Sequence, residues 1–172
     1  VNQVAGAIAD VEAALRRHQP EIVDELELRS GPLRQQWHAR GPGLLIEAAR
    51  MTDPATVPEA AEAVLVSPYA GGHGTAHAAQ NRVLFEAVLV NPLPAIPETV
   101  RLAWLVCQLN SDLPAFTDVM PPVQSVRALR WAMLAPALAA GEAVESCVCN
   151  EESIDAAIDL WRLREELPDD AA

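Results

Sequence analysis

The stretch from Val64 to Val90, VLVSPYAGGHGTAHAAQNRVLFEAVLV, decides the fold class. Two short runs rich in Val and Leu, residues 62–69 and 82–90, are bounded by Pro and Gly, which is typical of buried β-strands. The connection of about a dozen residues is long enough for a parallel pair and longer than a tight antiparallel hairpin needs, so both pairings stay open. The sequence therefore predicts a small sheet in the middle of the chain.

Helical patterns lie on both sides of this predicted sheet. Apolar residues at spacings of three and four predict a first helix that ends near His18, and Pro and Gly then divide the chain into shorter helices. The segment 97–109 is apolar almost all round, which predicts a central helix. The predicted helices after the first are 20–28, 31–40, 43–51, 97–109, 121–141 with a kink at Pro136, and one that follows the cap Asn150.

These patterns predict one domain over residues 1–172, with 168–172 as a frayed tail. The expected fold class is α+β, a mainly helical domain with a small central sheet, and an all-α fold is the alternative. A chain of 172 residues is long enough to bury a substantial hydrophobic core.

The charge composition excludes several classes of function. The chain has a net charge of −12 and no lysine, so Schiff-base, P-loop and kinase lysines are all impossible. A negative field without an arginine cluster argues against nucleic acid and anionic membranes as partners. No apolar run reaches the length of about 18 residues that a transmembrane helix needs. These observations predict a cytoplasmic protein.

The three cysteines, an odd number, do not make a disulfide framework. An odd number of cysteines is typical of a reducing compartment. Cys147 and Cys149 form a C-x-C pair that could hold a soft metal together with Cys107. Three thiols without a fourth ligand are a weak metal motif, and we interpret them as ordinary partly buried cysteines.

The glycine-rich connection contains the candidate chemistry. His73 and His77 are four residues apart, which on a helix would place both on one face as ligands for a divalent metal such as zinc. Gly74, however, predicts that a helix begins only at Thr75, which leaves His73 outside it. The sequence HAAQN from His77 also lacks the glutamate of a metalloprotease helix. A phosphate cradle is disfavoured because the Walker lysine is missing.

Residues near the end of this connection complete the set of candidates. Asn81 and Arg82 lie beside the loop, and Glu86 lies in the middle of an apolar strand. A buried carboxyl group must be paired or protonated, and Arg82 or Arg101 could pair with Glu86. We interpret Glu86 as one half of a structural ion pair rather than as a catalytic group. The candidate ligand-binding residues are His73, His77, Asn81, Arg82 and Glu86.

Two function hypotheses follow from the sequence. The first is a non-enzymatic protein-interaction or scaffold domain without a cofactor, a homo-oligomer or a module that binds another protein, because catalytic motifs are missing and aliphatic helix faces are abundant. The alternative is a divalent-metal-binding protein or metal-dependent hydrolase that uses the 70–86 loop, with His73 and His77 as ligands.

Overall fold

The computed structural model describes residues 2–67, 72–88 and 90–164, and it confirms the mainly helical α+β fold class. Of the described residues 62% are helical, and one sheet has three strands, so the all-α alternative is wrong. The predicted tail, residues 168–172, lies outside the described residues. Within the described part of the chain, no helix is both long enough and apolar enough to cross a membrane.

Two helices precede the sheet: α1 is Asn2–His18 and α2 is Ile22–Met51. The end of the first helix was predicted correctly, but the three short helices expected between 20 and 51 are one helix of 30 residues that contains Pro32 and Pro42. Local breakers interrupt a helix only where tertiary packing does not favour its continuation. Here the second half of α2 packs against two later helices and buries Leu44 and Ala48.

The sheet consists of β1 (Glu62–Val66), β2 (Gly74–His77) and β3 (Arg82–Glu86) in the order β1-β3-β2. β1 and β3 are the two predicted strands, and they pair in parallel, whereas β2 pairs with β3 in antiparallel fashion. The segment of β2 was expected to form a helical turn from Thr75. It is instead a strand followed by a short 3-10 helix over Ala78–Gln80.

In the described part of the chain, five α-helices follow the sheet: α3 (Glu98–Val106), α4 (Pro114–Thr117), α5 (Pro122–Ala132), α6 (Leu134–Ala143) and α7 (Glu151–Leu160). The single kinked helix predicted from Pro121 is two helices that meet at Met133, and Gly141 lies inside α6 rather than after it. The predicted cap of α7 is confirmed, because the side chain of Asn150 accepts a hydrogen bond from the Ser153 amide at 2.9 Å.

The core is built around α3, in agreement with its almost wholly apolar sequence. All residues of α3 from Thr99 to Val106 are buried. Trp104 stacks on Trp161 from α7 with ring centroids 4.8 Å apart, and its indole nitrogen donates to the backbone oxygen of Arg130 at 2.8 Å. Because α3 also contacts β2 and β3, the one charged residue in its buried run, Arg101, lies beneath the sheet.

Candidate functional site

Arg101 holds the sheet and the glycine-rich connection together from below. Its side chain is 1% exposed and donates to the backbone oxygens of His73 at 2.6 Å and Glu86 at 2.8 Å. It also bonds the carboxylate of Glu98 and lies over the ring of Phe85, 3.8 Å from the centroid. Burial lowers the pKa of Arg101, and the carboxylates of Glu98 and Glu86 oppose that shift.

Glu86 binds the backbone of the glycine-rich connection. Its side chain is buried, and Oε2 accepts hydrogen bonds from the amides of Gly72 at 3.1 Å and His73 at 3.0 Å. Gly72 has φ of +120°, a conformation that residues with a side chain rarely adopt. These two amides donate to an anion, as the amides of a phosphate-binding loop do, but here the anion is the carboxylate of Glu86.

Gly74 lets β2 approach α3 closely. A Cβ at this position would lie 2.4 Å from Cδ1 of Leu105 and 3.0 Å from the backbone oxygen of Leu84. Both distances are shorter than ordinary van der Waals contact, so a larger residue would have to displace the side chain of Leu105 and crowd the backbone of β3. The glycine that indicated a helix start in the sequence thus lies in a strand that closely approaches α3.

His73 and His77 are not brought together by this arrangement. Four residues of extended chain span about 13 Å at roughly 3.3 Å per residue, which is too far for two ligands of one metal ion. His77 is exposed, whereas Nδ1 of His73 is buried without a hydrogen-bond partner and Nε2 lies 3.5 Å from Oγ1 of Thr75. Over residues 2–67, 72–88 and 90–164 no group of three or more His, Cys, Asp or Glu could hold a metal ion. The zinc hypothesis stays a prediction that this geometry does not favour.

Asn81 and Arg82 fix the pairing of β1 with β3. Asn81 adopts a left-handed conformation with φ of 48°, and its Nδ2 donates to the backbone oxygen of Ala60 at 2.5 Å. The guanidinium of Arg82 donates twice to Oε2 of Glu62, at 2.6 and 2.9 Å, across the parallel pair. Of the two arginines that could have paired with Glu86, Arg101 is therefore the one beside it.

The cysteines are three free thiols of low reactivity. Burial raises the pKa of Cys107 to about 12 and that of Cys147 to about 11, and it also raises the pKa of Cys149. The thiolate is the form that attacks electrophiles and binds metals, so a raised pKa makes a cysteine inert at neutral pH. Cys147 and Cys149 are partly buried as we interpreted them, whereas Cys107 is fully buried.

The apolar face of α1 is the feature whose role the sequence did not reveal. Residues 3–18 are all exposed, although four large apolar side chains recur along one side of the helix. We call these four residues the α1 stripe, and their exposed fractions are 64% for Val4, 62% for Ile8, 69% for Val11 and 44% for Leu15. The amphipathic spacing was visible in the sequence, but spacing alone cannot tell whether the core or a partner covers such a face.

An apolar groove lies beside the edge strand β1. It has a volume of about 320 Å³ and lies between α2, the edge strand β1 and α3. Arg34 and Glu59 stand among its lining residues, and both are exposed. We call this cavity the α2–β1 groove, and its apolar lining includes Leu33, Trp37, Ala63, Leu65, Leu102 and Val106.

Comparison with known proteins gives no relative from which a function could be transferred. No protein-family model matches this chain, and no curated protein and no solved structure is significantly similar to it.

Proposed function

We propose that this protein is a protein-interaction module and that the apolar face of α1 is its recognition element. The observation that carries the proposal is the exposure of residues 3–18 of α1, whose large apolar residues form one stripe. Contiguous apolar patches on a folded protein are typical of protein–protein interaction sites.

The free energy available from this stripe is large enough to support binding. Full burial of one Val, Leu or Ile side chain stabilises by about 1.5 to 3 kcal/mol. Four such residues, each about half to two-thirds exposed, therefore supply roughly 5 kcal/mol from one helix. Isolated helices of about this length are marginally stable in water, so a partner that covers the stripe would also stabilise the helix itself.

The polar residues of the chain support the same proposal. Three of the five candidate side chains already have partners within the chain: the buried Glu86 binds two loop amides, and at the surface Asn81 binds Ala60 and Arg82 binds Glu62. Binding through a helix face needs none of them, because such recognition uses apolar anchors at spacings of three and four.

A charge placed in the stripe tests the proposal. We expect Val11→Asp to abolish self-association or the capture of a protein partner, because a carboxylate cannot be buried in an apolar contact. The matched control is Ala13→Asp, which adds the same charge on the opposite side of α1. Light scattering and pull-down with immobilised full chain are the measurements. Equal binding by wild type, Val11→Asp and Ala13→Asp would rule out α1 as the recognition element.

A further inference from the structure

We propose that the outer edge of β1 and the α2–β1 groove form a second recognition site, which takes an extended, basic segment of another protein as an added strand of the sheet. Such a segment pairs its backbone with the edge strand and places alternate side chains in the groove. No residue of α1 lines the groove, so the inference goes beyond the proposed function and does not depend on it.

The outer edge of β1 offers backbone groups to an added strand. β1 has β3 on one side, and no strand of the described chain pairs with its other side. The amide of Glu62 donates to the oxygen of Asn81, on the β3 side, at 3.1 Å. Because the direction of the backbone groups alternates along a strand, Ala63 and Leu65 direct their amides and carbonyls away from β3. An extended segment is the kind of ligand that bonds such a row of groups.

The edge of β1 lacks the features that usually protect an edge strand. Natural edge strands carry lysines, prolines, bulges or inward-pointing charges, which prevent pairing with another chain. The sequence of β1 is EAVLV, and its one charged residue, Glu62, bonds Arg82 across the pair with β3. The register with β3 is regular over all five residues, so β1 contains no bulge. The edge is therefore open to pairing.

The groove has room for the side chains of the added strand. Ala63 and Leu65 line it from β1, so the residues whose backbone faces outward also border the groove. Leu33 and Trp37 line it from α2, and their spacing of four places them on one helix face. The volume of about 320 Å³ lies at the lower end of the range for ligand sites, which suits a few aliphatic side chains rather than a whole helix.

The charge of the protein favours a basic segment. Arg34 and Glu59 are both exposed among the lining residues, so the charges at the groove balance each other. The field of the whole chain then sets the preference. A net charge of −12 attracts a basic segment, raises its rate of association and repels an acidic one.

A second copy of this chain fits the edge less well than a segment of another protein. Two copies would each bring a net charge of −12 and repel each other. Antiparallel pairing of β1 with β1 would also place both α2 helices on the same face of the extended sheet. Each α2 already lines the groove beside its own β1, so the two helices would compete for the same space.

N-methylated peptides test the added strand without any change to the protein. The probe is a peptide of about eight residues that alternates valine and arginine and has blocked termini. One isomer carries N-methyl groups on the valines and the other on the arginines, so both have the same composition and charge. In an added strand only one of these two sets of amides faces β1, the valine amides if it is antiparallel and the arginine amides if it is parallel. Isothermal titration calorimetry with the full chain measures binding.

We expect the unmethylated peptide to bind with one-to-one stoichiometry. One methylated isomer should bind like it, whereas the other should bind roughly tenfold more weakly, because its backbone hydrogen bonds are lost. A peptide with glutamate in place of arginine should also bind roughly tenfold more weakly. In NMR exchange measurements the amides of Ala63 and Leu65 should become protected on binding. The amide of Val64, which by the same alternation bonds to β3, should not change.

Ala63→Pro tests the edge from the side of the protein. Proline removes the outward amide and leaves the pairing with β3 in place, as prolines on natural edge strands do. Ala63→Ser keeps the amide and is the matched control. We expect Ala63→Pro to bind the peptide roughly tenfold more weakly and Ala63→Ser to bind it like wild type. Thermal unfolding checks that both variants are folded.

Other outcomes overturn the inference in distinguishable ways. Equal affinities of the two methylated isomers would exclude an added strand, and no binding of the unmethylated peptide would exclude the site. Tighter binding of the glutamate peptide would exclude a basic partner. Protection of Ala63 and Leu65 that rises with protein concentration alone would identify a second copy as the occupant, and their protection in the free monomer would show that the chain covers its own edge. Val11→Asp should bind the peptide like wild type, so failure of the proposed function at α1 would leave this result unchanged.

Discussion

The glycine-rich segment 72–86 and helix α1 use their residues in opposite ways. The segment is polar, yet Glu86 and the backbone of its glycine-rich part are bonded within the molecule: Glu86 accepts hydrogen bonds from the amides of Gly72 and His73, and Arg101 donates to the carbonyl of His73. Helix α1 is rich in large apolar residues, yet residues 3–18 are all exposed. A polar group that is already bonded is not available for a ligand, whereas an exposed apolar face is.

This contrast separates stability from recognition. Substitutions around Arg101 and Glu86 should change the free energy of unfolding, whereas substitutions in the α1 stripe should change association and leave the folded body intact. Four predictions test the separation, and they are ordered by the size of the expected change in the free energy of unfolding.

Replacement of Arg101 should have the largest effect. We expect Arg101→Met to lower the free energy of unfolding by about 3 to 5 kcal/mol, because it leaves the partly buried carboxylate of Glu98 and two backbone oxygens without their donor. Urea unfolding followed by circular dichroism measures the change. The control Arg82→Ala removes an exposed pair with Glu62 and should cost about 0 to 1 kcal/mol. Equal losses in both variants would contradict a central role for Arg101.

Replacement of Glu86 should have the second largest effect. We expect Glu86→Gln to lower the free energy of unfolding by about 1 to 3 kcal/mol, because a neutral amide is a weaker acceptor for the amides of Gly72 and His73 than a carboxylate. Hydrogen exchange of those two amides should also become faster. Glu62→Gln, at an exposed position in the same sheet, is the control and should leave both amides unchanged.

Much of the fold around this segment could be predicted from the sequence. The two Val- and Leu-rich strands and the central helix were predicted because long apolar runs carry a strong signal. Strand β2 was missed because its sequence, GTAH, has low strand propensity and its glycine is needed for contact with Leu105. That contact joins residues far apart in the chain, and no local pattern reports it.

The candidate site was predicted less completely. The cost of burying a carboxyl group predicted an arginine beside Glu86, and the sequence left Arg82 and Arg101 as alternatives. Arg101 donates to the backbone oxygen of Glu86, whereas Arg82 lies opposite Glu62 in the parallel pair. The prediction that His73 and His77 lie close together required a helix, and the strand observed over Gly74–His77 separates them instead. The helix breaks predicted within α2 were wrong for a similar reason, because α2 packs against α3 and α6, which lie far away in the sequence.

The raised pKa of the buried Cys107 thiol should make the folded protein less stable at alkaline pH. The folded chain raises its pKa from 9.0 to about 12, so the thiol stays protonated after the unfolded chain has lost its proton. The stabilisation is complete below pH 9 and decreases as pH rises towards 12. Between pH 8 and pH 10 we expect a loss of about 1 kcal/mol from this group, since one proton contributes roughly 1.4 kcal/mol per pH unit. Cys107→Ala should be less stable at both pH values but lose about 1 kcal/mol less than wild type over that interval.

Substitutions in the α1 stripe should have the smallest effect on the free energy of unfolding. They should have the largest effect on association. Val11 is 69% exposed in the folded chain, so Val11→Asp should change the free energy of unfolding by no more than about 0.5 kcal/mol when measured on the monomer at low concentration. At high concentration wild type alone should gain stability, because association is linked to folding by mass action. The dependence of the unfolding midpoint on concentration is the measurement. A concentration-independent destabilisation of more than about 1 kcal/mol in Val11→Asp would mean that α1 packs on its own body, and the contrast between the two regions would fail.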